Sequence, residues 1–213
     1  EHCLEVTEQP AAPWHLVDGT DRQHRALEVG KVLLAGIEGR IARSRNRAAA
    51  IGRIAARRAR KFAKLPTSHR GARVAEEDYE SGLEELQGRL ALLSRRHRFA
   101  KHSVVVAFEG MDAGGKGGAI RRITAALDAR QYRVVPISAP SAEEIARPYL
   151  WRFWFHLPPR GNYTIFDRSW YGRVLVERVR GFASKTVWQR AYEEMNGFER
   201  GLAEHQVIVA KFW

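Results

Sequence analysis

The chain of 213 residues has a single cysteine, Cys3, so it can form no intrachain disulfide. It also lacks any CxxC or HxxxH spacing, and with it the usual zinc-ligand patterns. This poverty of thiols fits a reducing, cytoplasmic setting. No apolar run approaches the ~18 residues of a membrane span, and the opening EHCLEVTEQP has neither the basic nor the apolar part of a secretory signal. No membrane partner is expected. Acidic residues are missing from one place: residues 40–73 hold 12 Lys or Arg and no Asp or Glu. The whole chain carries 36 basic against 24 acidic residues, a formal charge of +12, so everything outside that stretch is electrically balanced. Aromatics are scarce there too, with Phe62 alone. Proteins that read nucleic acid usually add stacking groups to their charge, so no specific nucleic-acid binding is expected. The stretch reads as a helical connector with solvated arginines and a weak, non-specific attraction for polyanions.

What is present follows a parallel α/β pattern. Trp14 to Val17 reads as a short strand, followed by a turn at Asp18, Gly19 and Asp21 and then a helix. Tyr79, Leu83, Leu86, Leu90 and Leu93 recur at helical spacing and mark a core-facing stripe. SVVVAF is a continuous apolar run of the kind buried on both faces of a sheet. After it come a glycine turn, a helix from about residue 116 to 127, a strand in YRVVPI and a helix over SAEEIARPYLWRFWFHL. Ser141 and Glu144 match a capping box at the start of that helix. NYTIF is a third strand ending at Asp167, and SKTVWQRAYEEMNGFERGLAEH and QVIVAKF supply a last helix and strand. Strands alternating with helices imply a doubly wound sheet, whose ligands bind beyond the carboxyl ends of the strands.

The turn EGMDAGGKGGAIRR carries the chemistry. Gly110, Gly115 and Lys116 satisfy G-x-x-x-x-G-K between a strand and a helix. In such a loop the backbone N–H groups of Ala113, Gly114, Gly115, Gly117 and Gly118 can converge on phosphate oxygens. The helix dipole and the Lys116 ammonium assist them. The Ser or Thr that normally follows the lysine and ligates magnesium is absent, because Gly117 stands there. Asp112 inside the loop can replace it, since a carboxylate is tolerable beside phosphate when a divalent cation lies between them. Asp167, at its strand end, is placed as a second metal ligand. Arg168, Arg173 and Arg178 follow that strand, and Arg121 and Arg122 lie one turn into the first helix. Their guanidinium forks suit phosphoryl oxygens. Arg180 reads as an ordinary surface residue, and Trp151, Phe153 and Trp154 as packing groups.

FEGMDAGGKGGAIRRI, RVVPISAPS, RPYLWRFWFHLP, FDRSWYGRVLVERVRGF and VIVAKFW, in this order and spacing, resemble the polyphosphate kinase 2 family. The resemblance implies a three-layer P-loop kinase-like parallel sheet with flanking helices, incomplete at both ends. It implies an enzyme moving a phosphoryl group between inorganic polyphosphate and a nucleotide, with AMP the first-choice acceptor and ADP, GMP or GDP as alternatives. Mg2+, or Mn2+ in its place, would be the cofactor, held by Asp112 and Asp167. Gly115, Lys116 and Gly117 would be the cradle, and Arg168, Arg173 and Arg178 the clamping and lid arginines. APWHLVDGTDRQHRALEVGKVLL resembles the C-terminal end of such a domain, yet it precedes the loop. The expected organisation is therefore a tandem-copy protein of the polyphosphate:AMP phosphotransferase kind. Residues 1–36 would be the remnant of one copy, 37–75 a basic linker and 76–213 the P-loop part of the next. Activity is expected of the full-length protein, with that of such a piece alone left open, and the full-length protein is expected to be a homo-oligomer. The rival readings are an ATP-dependent nucleoside monophosphate kinase and a non-enzymatic polyanion-binding module.

Overall fold

The structure is a computed structural model that describes residues 2–43 and 74–213. Its elements in chain order are α1 (His2–Val6), β1 (Trp14–His15), α2 (Arg22–Arg43), α3 (Glu76–Ser94), β2 (Ser103–Phe108), α4 (Lys116–Thr124), β3 (Tyr132–Pro136), α5 (Ala142–Ile145), α6 (Trp151–Trp154), β4 (Tyr163–Asp167), α7 (Lys185–Glu204) and β5 (Val207–Phe212). A single 3-10 turn, Phe99–Lys101, leads into β2, and a π-helical turn, Arg173–Glu177, follows β4. The five strands form one sheet in the order β1-β5-β2-β4-β3, and every pairing is parallel.

The apolar run in β2 explains the layering. All six of its residues are buried, and the two-residue pleat sends alternate side chains to opposite faces. Val104, Val106 and Phe108 join Leu33, Ile37, Leu90 and Ile123 from α2, α3 and α4. Val105 and Ala107 join Trp14, Phe153, Trp170, Met195 and Phe198 on the other side. The sheet is thus covered on both faces, as a parallel sheet must be, and the expected three-layer α/β fold is observed. The stripe on α3 faces the core as expected, with Tyr79, Leu86, Leu90 and Leu93 buried and Leu83 packed against them. Among the described residues, no helix is long and apolar enough to cross a membrane.

One expectation gives way to the observed packing. The long helix over 141–157 is two short ones, α5 and α6, because Pro148 cannot continue a helix and disfavours helical backbone at the residue before it. The capping box at its start is present, with Ser141 and Glu144 bonded reciprocally. The expected boundary at residue 36 falls inside α2, which runs unbroken to Arg43 with Ile37 and Ile41 buried in the helical layer. The segment before it packs on the same sheet. β1 is the edge strand beside β5, Trp14 opposite Lys211 and His15 opposite Phe212. The close approach of α2 to α3 depends on Gly30 and Gly82: a Cβ there would lie 3.1 Å from Leu86 and 3.2 Å from Leu27. The rest of the basic stretch, 44–73, lies outside the described residues.

A buried charge pair binds these parts together. Lys211 on β5 and Glu199 on α7 are each 0% exposed and meet at 2.8 Å. Glu199 also accepts from the Trp170 indole N–H at 3.0 Å and the Tyr171 hydroxyl. Lys211 donates to the Thr7 carbonyl at 3.0 Å and to the Tyr171 hydroxyl at 2.9 Å. Burial pushes the Glu199 pKa up and the Lys211 pKa down, and each partner's charge opposes the shift in the other. Removing one member leaves the other charge uncompensated, which typically costs about 3–5 kcal/mol. Chemical denaturation of Lys211→Met should show a loss of that size. Adding Glu199→Gln should recover part of it, and losses that simply add would contradict the pairing.

Candidate functional site

The phosphate loop leaves β2 at its carboxyl end. Parallel register sets Phe108 directly opposite Asp167 on β4, so the loop and the Asp167 end open on the same edge of the sheet. β2 lies between β4 and β5, and such a switch point leaves a crevice for a ligand. The loop turns through left-handed backbone at Gly110 (φ 125°), Ala113 (φ 63°) and Gly115 (φ 85°). At Ala113 this costs strain, the kind that accumulates in ligand-binding loops. The Gly114 N–H donates to the Met111 carbonyl at 3.1 Å, and α4 then starts at Lys116 with Gly115 as its cap.

Four of the expected charged side chains line a common cavity of about 450 Å³: Asp112, Lys116, Asp167 and Arg168. Ala113, Gly115 and Gly117 line it too, and Pro136 and Ile137 close it from the end of β3. The Lys116 ammonium folds back onto the loop, donating to the Gly110 carbonyl at 3.0 Å and the Met111 carbonyl at 2.8 Å. Arg168, itself at φ 65°, donates to Asp112 Oδ1 at 2.5 Å. The Asp112 side chain is 85% exposed and that of Arg168 49%, so this ion pair is weak and exchangeable. The Lys116 ammonium and the Arg168 guanidinium are thus held by carbonyls and a carboxylate that a ligand can displace. A larger cavity, about 590 Å³, lies between α3 and the end of α4. Its carboxylates Glu80, Glu84 and Asp128 outnumber Arg95, so it is ill suited to an anion.

The other arginines lie elsewhere. Arg173 stacks over Tyr149 at 4.5 Å and pairs with Glu177 at 3.1 Å. Arg178 stacks over Trp188 at 4.1 Å and donates to the Tyr192 hydroxyl at 3.3 Å. Neither lines the cavity. Arg121 is exposed on α4. Arg122 donates to the Tyr79 hydroxyl at 2.6 Å and to the Gly118 carbonyl at 2.9 Å. Phe153 is core as expected, whereas Trp154 is half exposed.

Among the described residues no group of three or more His, Cys, Asp or Glu could enclose a metal. The two cavity carboxylates suit a cation that takes one or two protein oxygens and completes its shell with waters and substrate phosphates, as magnesium does. One buried carboxyl beside the loop escaped the sequence reading. Glu109, buried at the foot of the loop, accepts from the backbone N–H and the hydroxyl of Ser169, both at 2.7 Å. It ties the loop to the segment carrying Asp167 and Arg168. A carboxylate directly after six buried strand residues was the available signal. Burial pushes its pKa up to about 7, against the Ser169 hydrogen bonds and the charges of Lys116 and Arg168.

The family described as polyphosphate kinase 2 matches residues 73–213, and the chain belongs to it. A polyphosphate:AMP phosphotransferase of Pseudomonas aeruginosa (strain PAO1) is 49% identical over the whole of this chain, which covers 43% of that protein. One of Pseudomonas syringae pv. tomato (strain DC3000) is 48% identical, again over the whole chain and 43% of the relative. The crystal structure of a protein assigned as polyphosphate kinase 2 from Pseudomonas aeruginosa PA01 superposes with a TM-score of 0.68 at 50% identity. The match covers 99% of this chain and 43% of that one. The chain therefore spans less than half the length of these relatives.

The raised Glu109 pKa has a stability consequence with a definite sign. Between the ordinary value of 4.5 and about 7 the folded state holds a proton that the unfolded state has lost. The associated stability is complete below about 4.5 and is lost as pH rises to about 7. Relative to Glu109→Gln, the wild-type chain should lose on the order of 3 kcal/mol across that window. Denaturant titrations at several pH values measure it, and parallel profiles would contradict a protonated Glu109.

Proposed function

We propose that this member of the polyphosphate kinase 2 family transfers the terminal phosphoryl group of inorganic polyphosphate to AMP. The products are ADP and a polyphosphate one unit shorter. One observation carries the reading: a phosphate loop with no hydroxyl after its lysine shares a single cavity with two carboxylates and an arginine. A divalent cation, Mg2+ in the first place, would be held by Asp112 and Asp167, and would supply charge neutralisation between the carboxylates and the phosphates. Lys116 would leave the Gly110 and Met111 carbonyls for the transferring phosphoryl oxygens. Arg168 would leave Asp112 for the same oxygens, so that ligand binding trades weak internal contacts for charge-assisted ones. Phosphoryl transfer needs mainly this positioning and charge stabilisation. AMP as acceptor rests on the relatives named polyphosphate:AMP phosphotransferase. Arg173 and Arg178, on their segment beyond Asp167, would act only after leaving their aromatic partners.

The direct test is to incubate the full-length protein with polyphosphate, Mg2+ and each of AMP, ADP and GDP, and to identify the nucleotide formed. ADP from AMP is expected, and no product from any acceptor would contradict the reading. Lys116→Ala should lower turnover by about two orders of magnitude or more while leaving the protein folded, as loss of a preorganised charge at a transition state does. Turnover within about threefold of wild type would contradict the role of the loop. Asp112→Asn should raise the Mg2+ concentration needed for half-maximal activity more than it raises the KM for AMP. Superimposable Mg2+ titrations would give that carboxylate another role.

A further inference from the structure

Residues 14–25 lie outside the family match, yet they build one wall of the phosphate loop. Because β1 runs parallel to β5, the turn after it opens on the same edge of the sheet as the loop. Gly19 in that turn lies so close that a Cβ would sit 3.3 Å from the Gly114 carbonyl oxygen. Asp21 accepts from the His24 N–H at 2.6 Å and starts α2, and Arg25 reaches back from the first turn to donate to the Gly19 carbonyl at 2.7 Å. Its guanidinium fills the space above Gly115, where a Cβ would lie 2.0 Å from Cζ. One turn along α4, a Cβ on Gly118 would stand 3.4 Å from Arg122 Nη1 and 4.0 Å from Arg25 Nη2.

Two arginines therefore converge on the glycine face of the first turn of α4, where Gly115 must lack a side chain for Arg25 to lie as it does and a Cβ on Gly118 would stand at ordinary contact distance from the two guanidinium groups. Among the described residues neither arginine forms an ion pair. Arg25 is bonded to a carbonyl, and Arg122 to a carbonyl and a phenol. Burial, and after it the charges of Arg122 and Arg22, push the Arg25 pKa down, with Asp21 opposing. Holding uncompensated guanidinium groups together costs free energy unless an anion joins them. A guanidinium fork matches phosphate oxygens, and a row of forks matches a chain of phosphates.

We infer that Arg25, with Arg122 beside it, binds the phosphate chain of a linear polyphosphate where it extends past the loop, so the N-terminal segment supplies part of the substrate site. The inference rests on the polyphosphate reading above and adds a residue to it. Pyrophosphate fills the loop alone, whereas a long chain reaches both arginines. Calorimetric titration with Mg2+ separates the two: Arg25→Gln weakens long-chain binding about tenfold and pyrophosphate binding less than about twofold, with AMP unaffected. One lost charge-assisted contact, about 1.4 kcal/mol, gives that factor. Arg25→Lys, which keeps the charge and loses the fork, should fall between. Arg98→Gln, which removes one charge ahead of β2 at the opposite edge of the sheet, should match wild type.

Equal long-chain affinity in Arg25→Gln and wild type overturns the inference, as does a loss shared equally by pyrophosphate, which would make Arg25 a structural prop of the loop. A wild-type chain that binds no long-chain polyphosphate brings down the proposed function itself. A measurement on the wild type needs no variant to fold: long-chain polyphosphate, and not pyrophosphate, should shield Arg25 from an arginine-selective dicarbonyl reagent. Equal labelling with and without the long chain overturns the inference.

Discussion

The in-register pairing of β2 with β4 is the constraint on which the site depends. It sets Phe108 opposite Asp167, so the phosphate loop and the second carboxylate emerge side by side with no further adjustment. A one-residue slip would turn the alternating core positions of β2 to opposite faces and would part Phe108, and the loop after it, from Asp167. Glu109 and Ser169 then fasten the two strand ends beyond the sheet. The same edge receives the turn after β1, because β1 also runs parallel.

The charges fall into two groups that differ in exchangeability. Glu199 and Lys211 are fully buried, satisfied by Trp170, Tyr171 and Thr7, and cannot be separated without a large penalty. They hold the segment after β4 against α7, β5 and the N-terminal residues. Asp112 and Arg168 meet in solvent, where an ion pair contributes about 0–1 kcal/mol. Lys116 is held by two loop carbonyls. Permanent pairs thus fix the frame, and weak ones keep the cavity lined with groups that a phosphate or a cation can recruit. On the proposed function, Asp112 fits its place in a phosphate loop because Arg168 balances it here and a metal would do so with substrate.

Much of this was legible in the sequence because its signals are local. The apolar run before Gly110, the glycine and lysine spacing, the strand ending at Asp167 and the Ser141–Glu144 capping box each occupy a few adjacent residues. What was not legible depends on distant pairing. Nothing near Trp14 announces that it lies opposite Lys211, and without that pairing Arg25 has no visible relation to Gly115. The extent of α2 past residue 36 was hidden for the same reason: the buried faces of Ile37 and Ile41 are defined by α3 and the sheet. Arg173 and Arg178 looked like neighbours of Arg168 along the chain. The π-helical turn and the rings of Tyr149 and Trp188 direct them elsewhere.

The central claim is that a cation and a phosphate chain share the cavity between Asp112 and Asp167. Anomalous diffraction from crystals of the protein with Mn2+ and a short polyphosphate tests it most directly. The account predicts a metal peak between those two carboxylates, with Lys116 moved from the Gly110 and Met111 carbonyls onto a phosphate. A metal peak at any other place, or bound phosphate with the Asp112–Arg168 pair still closed, would contradict it.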